Sequence, residues 1–297
     1  MRSRSSSFIV WLVACAGGLA TQNAFADPSQ APMQAPPLTA PLLEDTSLWH
    51  REWPQFRTSE GVLTASTALA TGAMILLGPV DEARWQGGIL FDRAVRDEFR
   101  ATSQSTNHTF RTIGDYTYHL SPLLPLIDVV VVSALARSDR KLAVNLGMMM
   151  LEAYSYTGFT YFASTEIAAR ARPDSRCNEP GGTCDTQSFM GGHAAISATG
   201  AGLMCANHTR IALWGDPIAD TAACVVAATN ALLTATTRVV ADRHYASDVI
   251  VGASLGFGFG YAVPVLLHYS YGKADRNISI APMPSCGPNC IGVRGTF

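Results

Sequence analysis

No block of basic residues, and no stretch in which aromatic and basic side chains interleave, occurs in this 297-residue chain, so the electrostatic footprint of a nucleic-acid binder is missing. C-x-x-C spacing is absent as well. No cysteine cluster has histidines at zinc-ligand spacing, which argues against a metal site, and no cofactor is called for. Charge of either sign is scarce, at 15% of residues with a formal net charge of −2, so bulk charge points to neither an acidic nor a basic partner. The length fits one domain with appendages.

What is present begins with an export pattern. Arg2 and Arg4 precede an apolar run over residues 8–14 that continues through Gly18 and Leu19, and Ala24-Phe25-Ala26 offers a small-residue cleavage site. Residues 1–26 therefore read as a signal peptide, with the alternative that Leu12-Val13-Ala14-Cys15 is a lipoprotein box. Residues 27–45 are rich in Pro and Gln and read as a disordered spacer. An exported, periplasmic or cell-envelope protein permits disulfides. Cys177 and Cys184 bracket a turn-rich loop, and Cys286 and Cys290 bracket another. Cys205 and Cys224 stand where two successive helices could be bridged, or remain buried free thiols.

Apolar, mostly uncharged stretches cover 62–80, 123–136, 142–163, 194–206, 217–236 and 249–267, too long and too rich in Ala and Gly for strands. These predict an all-α fold, an antiparallel six-helix bundle within a domain of residues 46–275. A polar arm at 81–121 contains an amphipathic helix over 90–100 with Asp92, Arg96 and Arg100 on its exposed side. A short hairpin is expected in the tail, 276–297. Asp128, Glu152, Asn207 and Asp220 interrupt or adjoin the apolar runs, and a central Asp costs about 2.5–3.5 kcal/mol on insertion into a bilayer. Only 142–163 and 249–267 approach spanning length. A cleaved signal followed by six spans would also turn the basic Arg-Ser-Asp-Arg-Lys turn at 137–141 outward, against the positive-inside tendency. The favoured reading is a compact exported bundle that associates with membrane, and a membrane-embedded bundle is the alternative.

The chemistry-bearing residues fall at the helix ends. In T-R-V-V-A-D-R-H-Y-A-S-D, Arg238, His244 and Asp248 stand six and four residues apart. Asp248 is expected to take the ring N–H of His244, freeing the other nitrogen for attack, while Arg238 offers a cationic fork to a phosphate. His193 follows two glycines in S-F-M-G-G-H, and Arg172 closes T-E-I-A-A-R-A-R-P, where Pro173 is expected to stop the third helix. With alternating helix directions, these ends meet at one rim.

These three segments resemble, in order and spacing, the signature of the type 2 phosphatidic acid phosphatase and vanadium haloperoxidase superfamily, over roughly residues 63–269. The resemblance implies catalytic roles for His244 as nucleophile, Asp248 as its orienting partner and His193 as general acid. It implies phosphate binding by Arg172 and Arg238, assisted by the amides of Gly191 and Gly192. Two motifs depart from the pattern: Thr165 stands where the family has a lysine, and Met190 and Gly191 replace the proline and serine of Pro-Ser-Gly-His. The Thr165 hydroxyl is a candidate replacement donor, without the charge; Arg170 is expected to pair with Glu166 instead. The implied activity is metal-independent hydrolysis of a phosphate monoester or diphosphate, on a phosphorylated lipid or a small phosphate ester. A phosphate- or lipid-binding protein without turnover and a vanadium-dependent haloperoxidase are the alternatives.

Overall fold

The computed structural model describes residues 47–54 and 56–269, together with the backbone of two strands. The expected signal peptide and spacer, and the Cys286–Cys290 pairing, lie outside the described residues. Among the described residues, seven α-helices follow one another: α1 (Thr58–Leu77), α2 (Asp92–Phe99), α3 (Gln104–Ile127), α4 (Arg140–Ala168), α5 (Gly192–Arg210), α6 (Pro217–Val240) and α7 (Ala246–Phe257). Wider π-type turns carry α3 on through Asp128–Ala136 and α7 on through Gly258–Ala262 and Pro264–His268. Strands β1 (Ser279–Pro282) and β2 (Ile291–Arg294) pair antiparallel, the hairpin expected of the tail.

Local chemistry explains the helix starts. Ser103 Oγ accepts the Thr106 amide, Asp139 accepts that of Leu142, and Asp216, just before Pro217, accepts those of Ile218 and Ala219. Two boundaries differ from expectation. The polar arm is shorter than predicted, because α3 begins at Gln104 and runs straight through Pro122 and Pro125. The carbonyl of Thr117, in the turn before Pro122, accepts from Ser121 Oγ and from Asn230 Nδ2 of α6, which ties this stretch of α3 to its neighbour. Helix α4 ends at Ala168, not at Arg172, because Ala169 takes a left-handed conformation with φ 38° and turns the chain into an extended segment. There Arg170 bridges the backbone at Trp85 and Gln187.

Helix α5 lies at the centre, with fifteen of its nineteen residues buried. Small residues permit this. A Cβ on Gly256 of α7 would stand 2.0 Å from the Ala195 carbonyl oxygen of α5, so the two backbones touch and no larger residue fits. A disulfide between Cys205 and Cys224 ties α5 to α6, and another closes the Cys177–Cys184 loop.

Hydrophobicity is turned outward around this centre. Leu69, Leu76, Leu77, Ile218 and Leu232 are all more than half exposed, Leu76 at 88%, whereas Asp128, Glu152, Asn207 and Asp220 are buried. Each of these four polar side chains has a hydrogen-bond partner inside the protein, though Asp220 bonds through Oδ1 alone. Asp128 and Asp220 clamp His208, Glu152 accepts from His268 and Tyr156, and Asn207 accepts from the Tyr269 hydroxyl. The objection that such residues prevent insertion therefore falls, since they face partners and not lipid. Among the described residues, four segments are long and apolar enough to cross a membrane: Thr58–Leu77, Gln104–Ala136, Pro217–Val240 and Ala246–His268. The stretch at 142–163 is not among them; it belongs to α4, which carries buried Asn145 and Glu152 and a run of Tyr, Thr and Ser.

Candidate active site

The turn between α6 and α7 carries His244, whose amide and that of Arg243 both reach back to the Arg238 carbonyl. The imidazole is 2% exposed. Its Nδ1 lies 2.9 Å from the backbone carbonyl of Ser188, which can only accept, so Nδ1 carries the proton and Nε2 keeps its lone pair. Nε2 is buried without a hydrogen-bond partner. Burial, then the nearby Arg172 guanidinium and His193, hold His244 well below the usual histidine range, so the ring is neutral at neutral pH.

Asp248 does not take the His244 ring proton as expected. Its carboxylate is filled from other directions: Ser188 Oγ at 2.6 Å and the Tyr245 amide at 3.0 Å reach Oδ2, and Arg170 Nη1 reaches Oδ1. Asp248 therefore acts on His244 at one remove, fixing the residue whose carbonyl fixes the ring. The physical reason is that the buried Arg170 guanidinium offers Asp248 a stronger partner than a neutral imidazole does.

Arg238, in the last turn of α6, directs Nη2 at Asp115 of α3 and leaves Nε buried without a hydrogen bond. A Cβ on Gly114 would stand 3.2 Å from that Nε, so glycine lets the guanidinium lie against α3. Arg172 is 2.9 Å from Asp185 through Nε, an ion pair too poorly aligned to be a hydrogen bond. Burial lowers the Arg172 pKa, as does the neighbouring Arg243. His193, in the first turn of α5, sets its ring 6.5 Å from that of His244 and its Nε2 3.6 Å from Asp115 Oδ1. Burial, followed by Arg238 and Arg172, pushes His193 down to about 3.

Both histidines and both arginines of the sequence motifs are thus brought together. The three supporting donors fare differently. The Gly191 amide bonds the Asp248 carbonyl and is not free for an anion. Gly192, His193 and Ala194 supply first-turn amides of α5 that have no intrahelical carbonyl. The Thr165 hydroxyl is 2.8 Å from the Phe162 carbonyl of its own helix, the usual local bond of a helical threonine, and is turned away from the role of replacement donor.

Several residues of this site escaped the sequence. Arg170 is fully buried, stacked between the rings of Trp85 and Tyr245 at 4.0 and 4.1 Å, and bonded to Asp92, Asp248, Ser247 and the Gly87 carbonyl. It does not pair with Glu166, because the extended segment after Ala169 points it inward. Asp92, expected on an exposed face, is 1% exposed and also accepts the Ser247 and Ile89 amides. Burial pushes its pKa up, but the bonds from Arg170, Ile89 and Ser247 outweigh that and keep it below the usual carboxylate value. Nearby, Arg111 and Arg243 share Asp174, and Arg243 and Arg172 share Asp185, three guanidiniums on two carboxylates. Arg-Ala-Arg alternation at 170–172 was the one available hint, since i and i+2 share a side in extended chain.

Residues 143–271 match the family model of the PAP2 superfamily, and Arg172, His193, Arg238, His244 and Asp248 all lie within that segment. The resemblance read from the motifs is thereby shown. Among solved structures, the fold is similar to the first transmembrane PAP2 type phosphatidylglycerolphosphate phosphatase from Bacillus subtilis, at 20% identity and a TM-score of 0.45, covering 70% of this chain and 94% of that one. No curated protein matches the chain.

Proposed function

We propose, starting from the PAP2 superfamily match, that the protein is a metal-independent phosphatase acting on a phosphorylated lipid through a phosphohistidine. One observation carries this reading: His244 Nε2 and Arg238 Nε are both buried without hydrogen-bond partners, beside His193 and Arg172. Buried polar atoms are ordinarily satisfied, and a tetrahedral phosphate would satisfy these together. His244 Nε2 attacks phosphorus, with Nδ1–H held by the Ser188 carbonyl. Arg172, Arg238 and the α5 amides take up the charge on the equatorial oxygens. His193 gives its proton to the departing alkoxide and then activates the water that hydrolyses the intermediate. The dianion itself would raise His193 from its low value and so load the proton.

Lipid is favoured as substrate because four apolar helices with outward-facing leucines fit a bilayer, and the reactive groups sit at helix ends, where a headgroup would lie. A second reading, phosphate or lipid binding without turnover, is favoured by the internal engagement of the Thr165 hydroxyl and the Gly191 amide, which leaves fewer donors for the transition state.

The test is phosphate release by detergent-purified protein, with chelator, from p-nitrophenyl phosphate and from a lipid phosphate. Release abolished by His244→Ala supports the hydrolase. Phosphate binding without release from either substrate supports the second reading, and halide oxidation dependent on added vanadate would replace both.

A further inference from the structure

We infer that Asp115 is the positioning residue that keeps His193 supplied with its proton. The inference rests on the proposed hydrolase reading and extends it to a residue outside every sequence motif. His193 is crowded by positive charge: Arg238 from α6, Arg172 from the segment after α4, and Arg243 from the turn after α6 all act on it. His244 stands across the site, and Tyr118 of α3 covers the ring at 4.5 Å. Among these groups, Asp115 contributes the carboxylate facing His193 Nε2.

Its geometry suits a helper more than a competitor. At 3.6 Å, Asp115 Oδ1 is near enough to favour the protonated imidazole but too far for a hydrogen bond that would hold the proton back. The same oxygen is anchored by Arg238 Nη2, while Arg238 Nε remains unpaired. One guanidinium therefore serves two ends, fixing the carboxylate through Nη2 and facing the anion through Nε. Asp115 is 55% exposed on its side chain, so water and substrate reach the gap between it and His193. In the reaction, the bond between phosphorus and the leaving oxygen breaks as the His244 nitrogen–phosphorus bond forms, and the proton on His193 Nε2 passes to that oxygen. Asp115 neither gains nor loses a proton.

Leaving-group dependence separates this role from a structural one. A p-nitrophenolate departs without protonation, whereas an alkoxide needs an acid. Asp115→Asn is expected to lower kcat/KM, which reports the step in which the leaving group departs, about 10- to 100-fold on an alkyl phosphate, within the range of general acid catalysis, and to leave kcat/KM for p-nitrophenyl phosphate within about threefold. Its kcat–pH profile on the alkyl ester should move to lower pH, and Asp115→Glu should restore it. Equal losses on both substrates, or a faster enzyme with a lower KM, would overturn the inference, the latter making Asp115 a stand-in that competes with phosphate. An independent reading is the NMR titration of His193 in inorganic phosphate. The midpoint should fall in Asp115→Asn; an unchanged midpoint also overturns the inference, even if the wild type proves a binder without turnover.

Discussion

Two buried histidines, one near each end of α5's reach, have opposite surroundings. His244 has one nitrogen tied to a carbonyl, the other without a partner, and arginines for neighbours. His208, in the last turn of α5, is bonded at both nitrogens, 2.6 Å from Asp220 and 2.9 Å from Asp128, and those carboxylates also hold the Trp214 amide and indole. Burial lowers both rings. For His208 the two carboxylates outweigh it and raise the pKa, whereas for His244 the arginines add to it. The same side chain is thus a clamp in one place and a nucleophile in waiting in the other. The difference lies entirely in what its neighbours leave unsatisfied.

The comparison breaks most visibly under alanine. His244→Ala should cost at least about a thousandfold in kcat, the scale seen when a group acting only in the transition state is lost, with little change in thermal stability. His208→Ala should do the reverse. It leaves two buried carboxylates without their cation, a loss of about 3–5 kcal/mol, while the protein that remains folded keeps its specific activity. Thermal melts in detergent beside phosphate release decide the matter, and a His208→Ala enzyme that is stable but dead would erase the distinction. Arg170→Met falls between: removing the cation that joins Asp92 to Asp248 should destabilise by a similar amount and also loosen the Ser188 carbonyl, lowering kcat in the folded fraction.

Much of the site was legible because reactive residues were spaced along helix ends. Arg172, His193, Arg238 and His244 could be placed together from sequence alone. What could not be read was pairing across the chain. Asp92, Asp115 and Arg170 meet partners 77 to 155 positions away, and no local period reports such contacts. The helix ends show the same limit. Nothing in an alanine announces that Ala169 would turn left-handed, so Pro173 was the nearer stop signal, and Pro122 hid the continuity of α3, which Asn230 of another helix braces in the turn before it. Polar residues in apolar runs were legible as polar but not as partnered, which is why the outward-facing hydrophobicity of α1, α3, α6 and α7 was undervalued.

The two disulfides sharpen the contrast on a smaller scale. Loop-closure entropy assigns about 2.5 kcal/mol to Cys177–Cys184 and about 3 kcal/mol to Cys205–Cys224. Only the first borders the site, closing the loop between Asp174 and Asp185, which hold Arg243 and Arg172. Replacing both of its cysteines by serine should raise KM for phosphate esters several-fold along with the loss of stability. Replacing Cys205 and Cys224 should cost stability alone, and a KM rise there would mean that α5 transmits strain to His193.

The smallest effect is also the one whose sign differs between the two histidines. His208 has a folded pKa above its unfolded value of about 6.5, so its clamp contributes fully below that pH and is lost as pH rises through the folded value. His193 and His244 have folded pKa values below the unfolded one, so their neutral burial stabilises above about 6.5 and is lost as pH falls, for His193 towards about 3. Each unit between folded and unfolded pKa is worth about 1.4 kcal/mol before solvent screening. Stability should therefore decline on both sides of a maximum, and His208→Ala should flatten only the alkaline side. A variant that flattens the acid side instead would show that the carboxylate clamp is not holding a charged ring.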